Sequence, residues 1–254
     1  MVEPGQAVMA DWLALHGMGH QECLARLQGI RIPPQRPADD PAFPRDRALP
    51  TVLQAIDLAL PGAAGMLDRI RTEVRIDLAP DPKRFPRAFT LHDDGRGLPY
   101  VCCPLKGRLS DLLVLAHEIG HACQLLASRQ PDLPPLQREM AAYLAEEIIR
   151  EGLAVSDARQ GAALDGVDKA RTRRIMLRDG AALLHGLRDP VAAYGYGWNY
   201  PIARDLAARA AAHLSAADRW RVFAGTIGLP RLLQLPPVSP SHRSATGAAL
   251  GNSV

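Results

Sequence analysis

No stretch of this 254-residue sequence stays apolar for the roughly 18 residues that a membrane-spanning helix needs. No positively charged start followed by an apolar run marks an export signal either. The expectation is a soluble, cytoplasmic protein with no membrane partner. Basic residues never gather into a run of five or more that could track a phosphate backbone, and the formal net charge is only +3, so nucleic acid is not an expected partner. Cysteine is scarce as well. Cys23, Cys102, Cys103 and Cys123 contain no C-x-x-C spacing, and adjacent cysteines such as Cys102 and Cys103 seldom bridge each other, so reduced thiols are expected. Internal repeats are lacking too.

What is present is a chain that is 47% apolar and long enough to bury a large core, which fits one catalytic unit. Val8, Trp12, Leu13, Leu15, Leu24 and Leu27 recur at helical spacing from Gln6 to about Gln28, with Gly17 and Gly19 weakening the middle, so one broken helix is predicted. Residues 29–50 are proline-rich and read as a connector. A second helix is expected from about Pro50 through Leu53, Ile56 and Leu60 to Leu67 and Ile70. Alternating apolar positions between Val74 and Cys103, around an Asp94-Gly95 turn, predict a small antiparallel sheet. Beyond Gly107 the pattern is helical to about Gly228, with Ser110 or Asp111 as a cap for the first of these helices. The division that results is 1–80, a helical region with its connector; 81–230, the catalytic region; and 231–254, a tail read as disordered.

The main chemical signal is Leu112-Leu-Val-Leu-Ala-His117-Glu118-Ile-Gly-His121-Ala-Cys-Gln-Leu-Leu126. On a helix, side chains four apart share a face, so His117 and His121 can direct two imidazole nitrogens at one ion. Glu118 lies about 100° round from His117, near enough to reach a water on that ion without ligating it. The rest of the helix is almost wholly apolar, and ionisable groups in such surroundings cost several kcal/mol unless partnered or metal-bound. One zinc ion per chain is the expected cofactor.

A zinc hydrolase needs a third protein ligand and leaves a fourth position to water. The next helix, from Pro135, puts Glu139, Tyr143 and Glu146 on one face, while Ala141, Ala142 and Ala145 permit close packing against Gly120. Glu139 is the favoured ligand, with Glu146 as an alternative or as a residue behind the first ligands.

These residues resemble the thimet oligopeptidase and oligoendopeptidase F family of zinc metallopeptidases. Pro99-Tyr-Val-Cys-Cys-Pro-Leu-Lys-Gly-Arg-Leu-Ser-Asp-Leu-Leu-Val-Leu-Ala-His-Glu-Ile-Gly-His121 looks like the family's strand, glycine turn and L-A-H-E-x-G-H helix. Glu139-Met-Ala-Ala-Tyr-Leu-Ala-Glu146 resembles its E-x-A-S-x-x-x-E. The resemblance covers about fifty residues. It implies a mainly α, zincin-like helical domain, zinc at His117, His121 and Glu139, and Glu118 as general base. The interval from His121 to Glu139 is shorter than is usual in the family and by itself favours Glu146. The chain is also far shorter than those enzymes, so their large N-terminal lobe is reduced to residues 1–80 or missing.

The family places tyrosines and a histidine over the bound peptide to stabilise the oxyanion. Tyr194-Gly-Tyr196-Gly-Trp198-Asn-Tyr200 looks like a degraded form of that segment, which makes Tyr196 and Tyr200 candidate donors, while packing aromatics explain the cluster equally well. The strand at Tyr100, Val101 and Cys102 is expected to pair, as an edge strand, with an extended peptide substrate. The reaction expected is peptide-bond hydrolysis by metal-activated water, with Glu118 taking the proton and passing it to the leaving amine. The alternatives are an inactive zinc-binding module that recognises a peptide or protein partner, and hydrolysis of a non-peptide amide or ester. His16 and His20 are expected at the surface or in a loop, His92 in a turn, and the cysteines buried and structural.

Overall fold

The computed structural model describes residues 4–63, 65–81, 83–92, 99–128, 132–189 and 192–238. Over these the chain is mainly helical, with one small sheet. The broken N-terminal helix is α1 (Pro4–Leu15) and α2 (His20–Gly29). Gly17 makes the break by taking a φ of +62°, a left-handed backbone that side chains with a Cβ resist. The connector runs to α3 (Arg45–Ala59), which begins five residues ahead of the expected Pro50. The single helix expected to reach Ile70 is divided. Pro61 has no amide to continue the ladder, and a 3-10 turn at Pro61–Ala63 leads into α4 (Met66–Glu73).

The sheet contains β1 (Arg75–Asp77), β2 (Phe89–His92) and β3 (Pro99–Cys102) in the order β1-β3-β2. β2 runs antiparallel to β3, with Leu91 opposite Tyr100, but β1 runs parallel to β3, with Ile76 opposite Val101. The sheet is therefore mixed, not antiparallel. Between β1 and β2 the chain carries Pro80, Pro82 and Pro86, which disfavour a tight hairpin; it crosses over and leaves the central position to β3. The Asp94-Gly95 turn lies outside the described residues.

The helices that follow are α5 (Asp111–Ala127), α6 (Pro135–Ser156), α7 (Ala158–Ile175), a π-helical segment (Met176–Gly180), α8 (Ala181–Arg188), a 3-10 turn (Tyr196–Trp198), α9 (Asn199–His213), α10 (Ala216–Phe223) and α11 (Leu229–Leu233). Leu232 and Leu233, within the expected tail, are buried in the core; residues 239–254 lie outside the described residues. No described helix is long and apolar enough to cross a membrane.

α5 is apolar all round because it is enclosed all round. Leu112, Leu113, Leu115, Ala116 and Ile119 are fully buried, and α3, α4, α6 and the sheet pack around them. It packs tightly on α6 at Gly120, as the small residues foretold. A Cβ there would lie 2.9 Å from Cβ of Ala145 and 3.0 Å from Cα of Ala142. Neither Ser110 nor Asp111 caps α5 through its side chain. Instead Oδ2 of Asp111 accepts from the amides of Lys106, Gly107 and Arg108 at 2.7, 2.7 and 3.0 Å, fixing the turn that joins β3 to the helix. Oδ1 and Oδ2 of Asp40 accept from the Ser110 amide and hydroxyl.

Candidate metal centre

The close α5–α6 contact sets the reach of the side chains above it. His117 and His121, one turn apart on α5, meet Glu139 from α6, and one donor atom from each lies within 4.8 Å of the others, a group that could hold a metal ion. Nε2 of His117 is 3.3 Å from Oε2 of Glu139, and Nε2 of His121 is 3.8 Å from Oε1. A tetrahedral ion with bonds of about 2.1 Å sets its donors roughly 3.4 Å apart, so the first of these spacings already fits and the second would shorten slightly. Oε2 of Glu139 is buried and has no well-formed hydrogen bond, its nearest polar neighbour being Nε2 of His117 at 3.3 Å, so it is an under-satisfied acceptor that an ion could engage.

Glu146, seven residues on, has a different partner set. Its Oε1 lies 2.7 Å from Nδ1 of His117, and its Oε2 lies 2.7 Å from Nη1 of Arg171 and accepts from Nη1 of Arg204 at 3.1 Å. It therefore occupies the far nitrogen of His117 and leaves Nε2 directed at Glu139, the carboxylate–imidazole arrangement that orients metal-binding histidines. Burial would raise the Glu146 carboxyl, but Arg171, His117 and Arg204 hold it down at about 2.

The two imidazoles titrate in opposite directions. Burial favours neutral His117, yet its contacts with Glu139 and Glu146 outweigh this and lift it to about 9. Burial and the neighbouring His117 charge press His121 down to about 4. Burial raises the Glu139 carboxyl, and the two histidines with Tyr196 more than reverse that, so it lies below the ordinary carboxylate range.

Glu118 is 6% exposed, and the Thr90 hydroxyl on β2 donates to its Oε2 at 2.7 Å. Burial pushes this carboxyl above its usual value, against the pull of His117 and Thr90. That is the direction a proton-transferring carboxylate needs near neutral pH. Glu118 and His117 line a cavity of about 700 Å³ together with Tyr143, Tyr200 and arginines of α7.

The tyrosine segment divides its work. The hydroxyl of Tyr196 donates to Oε1 of Glu139 at 2.8 Å, so this residue steadies the carboxylate. Tyr200 lines the cavity, its ring edge-on to Tyr143 and Tyr196, and burial pushes its hydroxyl up to about 12. Tyr194 accepts from Asn199. Gly197 has no side chain because none fits: a Cβ there would lie 2.6 Å from Oδ1 of Asp179, the π-helical residue against which the segment rests.

The strand predicted to receive substrate does not offer an edge. β3 has β1 on one side and β2 on the other, and Val101 and Cys102 are fully buried. The Tyr100 ring is edge-on to Phe89, with the Arg75 guanidinium over its face. Tyr100, Val101 and Cys102 therefore have no strand edge to give a peptide. His16 is also not at the surface. It is buried, with Nδ1 2.7 Å from the Trp12 carbonyl, and its Nε2 accepts from the Leu136 amide at the start of α6, a helix end where Pro134 has no polar side chain to cap with. His20 is exposed, with Nε2 2.7 Å from the Leu187 carbonyl, and His92 closes β2. All four cysteines are free and buried.

Sequence reasoning missed Thr90, Arg171 and Arg204 and gave Tyr143 no role. The ring of Tyr143 lies edge-on to His117, with the Arg204 guanidinium over it. Arg204 could have been found, since it is one turn beyond Tyr200 on a helix otherwise rich in alanine. Thr90 and Arg171 carry no comparable pattern. No protein-family model, curated protein or solved structure matches the chain.

Proposed function

We propose that the chain is a zinc metallopeptidase that hydrolyses peptide bonds in peptides or short unfolded segments, a compact relative of the thimet oligopeptidase and oligoendopeptidase F enzymes that its motifs resemble. The observation that carries this reading is the convergence of His117, His121 and Glu139 beside a buried, raised carboxylate, Glu118, on the wall of a cavity. Two imidazoles and one carboxylate form a donor set typical of catalytic zinc, with room left for water. Zinc bound there would polarise a carbonyl and lower the pKa of a water toward about 7.

The chain's own residues do the remainder. Glu118 takes a proton at its carboxylate and delivers it to the leaving amine, and Thr90 holds Oε2 so that the other oxygen is the one presented. Glu146 fixes the tautomer and tilt of His117. Tyr200, in the cavity with Glu118, is better suited than Tyr196 to donate to a developing oxyanion, because the Tyr196 hydroxyl is engaged by Glu139.

An extended substrate has an edge to pair with on β2. The Cys103 amide donates to the Asp77 carbonyl, so by alternation Val101 also faces β1 while Tyr100 and Cys102 face β2. Their partners Leu91 and Phe89 face inward, which turns the amide and carbonyl of Thr90 to the outer edge, next to Glu118. An intact general base in the cavity favours this reading over an inactive zinc module, which has no use for one.

The test is metal analysis of wild type and Glu118→Gln, with mass spectrometry of a peptide library after incubation. The expected outcome is one zinc per chain in both and cleavage lower by about 10²–10⁴ in the variant. Zinc-loaded wild type that leaves every peptide intact would overturn the peptidase reading.

A further inference from the structure

Three arginines, Arg171, Arg174 and Arg178, lie on the wall of the cavity that also holds His117 and Glu118. The first two belong to α7 and the third to the π-helical segment that continues it, at i, i+3 and i+7, so one continuous helical face presents all three. Glu118 is the one carboxylate lining the same cavity among the described residues. Their charges are committed to different degrees. Arg171 is tied to Glu146 behind the site. Arg178 is held by Asp179, whose buried carboxylate accepts from its Nε and Nη2 at 2.9 and 2.8 Å, although the arginine side chain itself is 75% exposed. Arg174 is exposed, and among the described residues no carboxylate or carbonyl engages it. What sets Arg174 apart is its place: an uncommitted guanidinium on the wall of the cavity that also holds His117 and Glu118.

We infer that Arg174, supported by Arg178, binds a carboxylate of the substrate, so that the preferred substrates are peptides carrying negative charge. The inference rests on the peptidase reading for its setting and names the substrate class of that site. A guanidinium offers two parallel donors to a carboxylate, a geometry that a neutral or basic peptide cannot use. The carboxylate has two possible sources, a free C-terminus or an Asp or Glu side chain, and both present the same planar oxygens. Arg174 is a binding residue here and takes no proton.

The test uses the full-length zinc-loaded protein and one labelled peptide core in four forms: neutral and amidated, the same core with a free C-terminus, an amidated form carrying glutamates, and an amidated form carrying lysines. Cleavage is followed by kcat/KM, and binding by fluorescence anisotropy on Glu118→Gln, which holds substrate without turning it over. The expected preference for a carboxylate-bearing form over the neutral one is about tenfold in both readouts. Arg174→Gln should erase most of that ratio, and Arg174→Glu should invert it in favour of the lysine form. A preference confined to the free acid identifies the C-terminus as the source, and one shared by the glutamate form identifies side chains. Equal binding of neutral and acidic forms, or a preference that Arg174→Glu leaves untouched, overturns the inference. Preferential, Arg174-dependent binding without cleavage in wild type supports it while removing the peptidase reading.

Discussion

The α5–α6 seam and the Tyr194–Tyr200 segment both reach Glu139, but they are held in opposite ways. The seam is backbone against backbone at Gly120, with Ala142 and Ala145 leaving no space, and the residues around it have no access to water. The tyrosine segment is a short glycine-rich turn, with Tyr194 and Tyr196 45% and 41% exposed. The seam decides which donor atoms meet. The segment adjusts how firmly one of them is held, through a single hydroxyl on Oε1. Changes at the seam should therefore abolish or displace the metal group, whereas changes in the segment should only grade its affinity.

The largest expected effect is at the proposed ligand, Glu139. Glu139→Ala leaves two imidazoles and should lower zinc affinity by more than about 100-fold, whereas Glu146→Gln, which keeps the three ligands but weakens the support of His117 and the pairs with Arg171 and Arg204, should lower it by about 10–100-fold. A competitive chelator titration measures both, and retention of zinc by Glu139→Ala with loss in Glu146→Gln would exchange their roles.

A pH effect of similar size follows from His117. In the metal-free chain its imidazole is lifted to about 9, and an ion binds only the neutral ring. Zinc affinity should therefore rise about tenfold per pH unit from 7 and level off near 9, with one proton released on binding, measurable by calorimetry in buffers of different ionisation enthalpy. The sign for stability is the reverse. A raised histidine stabilises the metal-free fold below its unfolded value of 6.5, and that contribution is lost as pH climbs through about 9. Metal-free protein should melt at lower temperature at pH 9.5 than at pH 6.5, by this contribution.

Next in size is Gly120→Ala. Its Cβ meets α6 at 2.9–3.0 Å, so the helices must separate, and a loss of about 1–3 kcal/mol of folding stability is expected by denaturant titration, with weaker zinc binding alongside. The smallest effect is expected for Tyr196→Phe. Losing one hydroxyl on a partly exposed carboxylate contact should cost about 1 kcal/mol, a few-fold in zinc affinity, with the fold intact. A Tyr196→Phe effect as large as that of Glu139→Ala would dissolve the contrast between the two regions.

The parts of the site that could be read in the sequence are those carried by one helix or by a helix pair with small residues between. His117, Glu118 and His121 share one helix, while the period of the next, with Ala141, Ala142 and Ala145 facing Gly120, narrowed the third donor to Glu139 or Glu146 with Glu139 favoured. The break at Gly17 was equally legible, because a glycine in a helical pattern has a local conformational cause. What failed depends on how distant segments are ordered. Alternation in β1 and β3 says that both are strands, but nothing in it says that β3 takes the centre, so an edge was assigned to Tyr100–Cys102 when the edges belong to β1 and β2. Thr90 and Glu118 are 28 residues apart and Arg204 and Glu146 are 58 apart; neither pair has a spacing that a sequence pattern could show.

The central claim is that α5 and α6 together hold one ion through Nε2 of His117, Nε2 of His121 and a carboxylate oxygen of Glu139. Crystals of the full chain grown with one equivalent of zinc, measured on both sides of the zinc absorption edge, test it most directly. The account predicts a single anomalous peak about 2.0–2.2 Å from those three atoms, with Glu146 on Nδ1 of His117 and not on the metal. A peak bound by Glu146 in place of Glu139, or no peak at this position in zinc-saturated crystals, would contradict it.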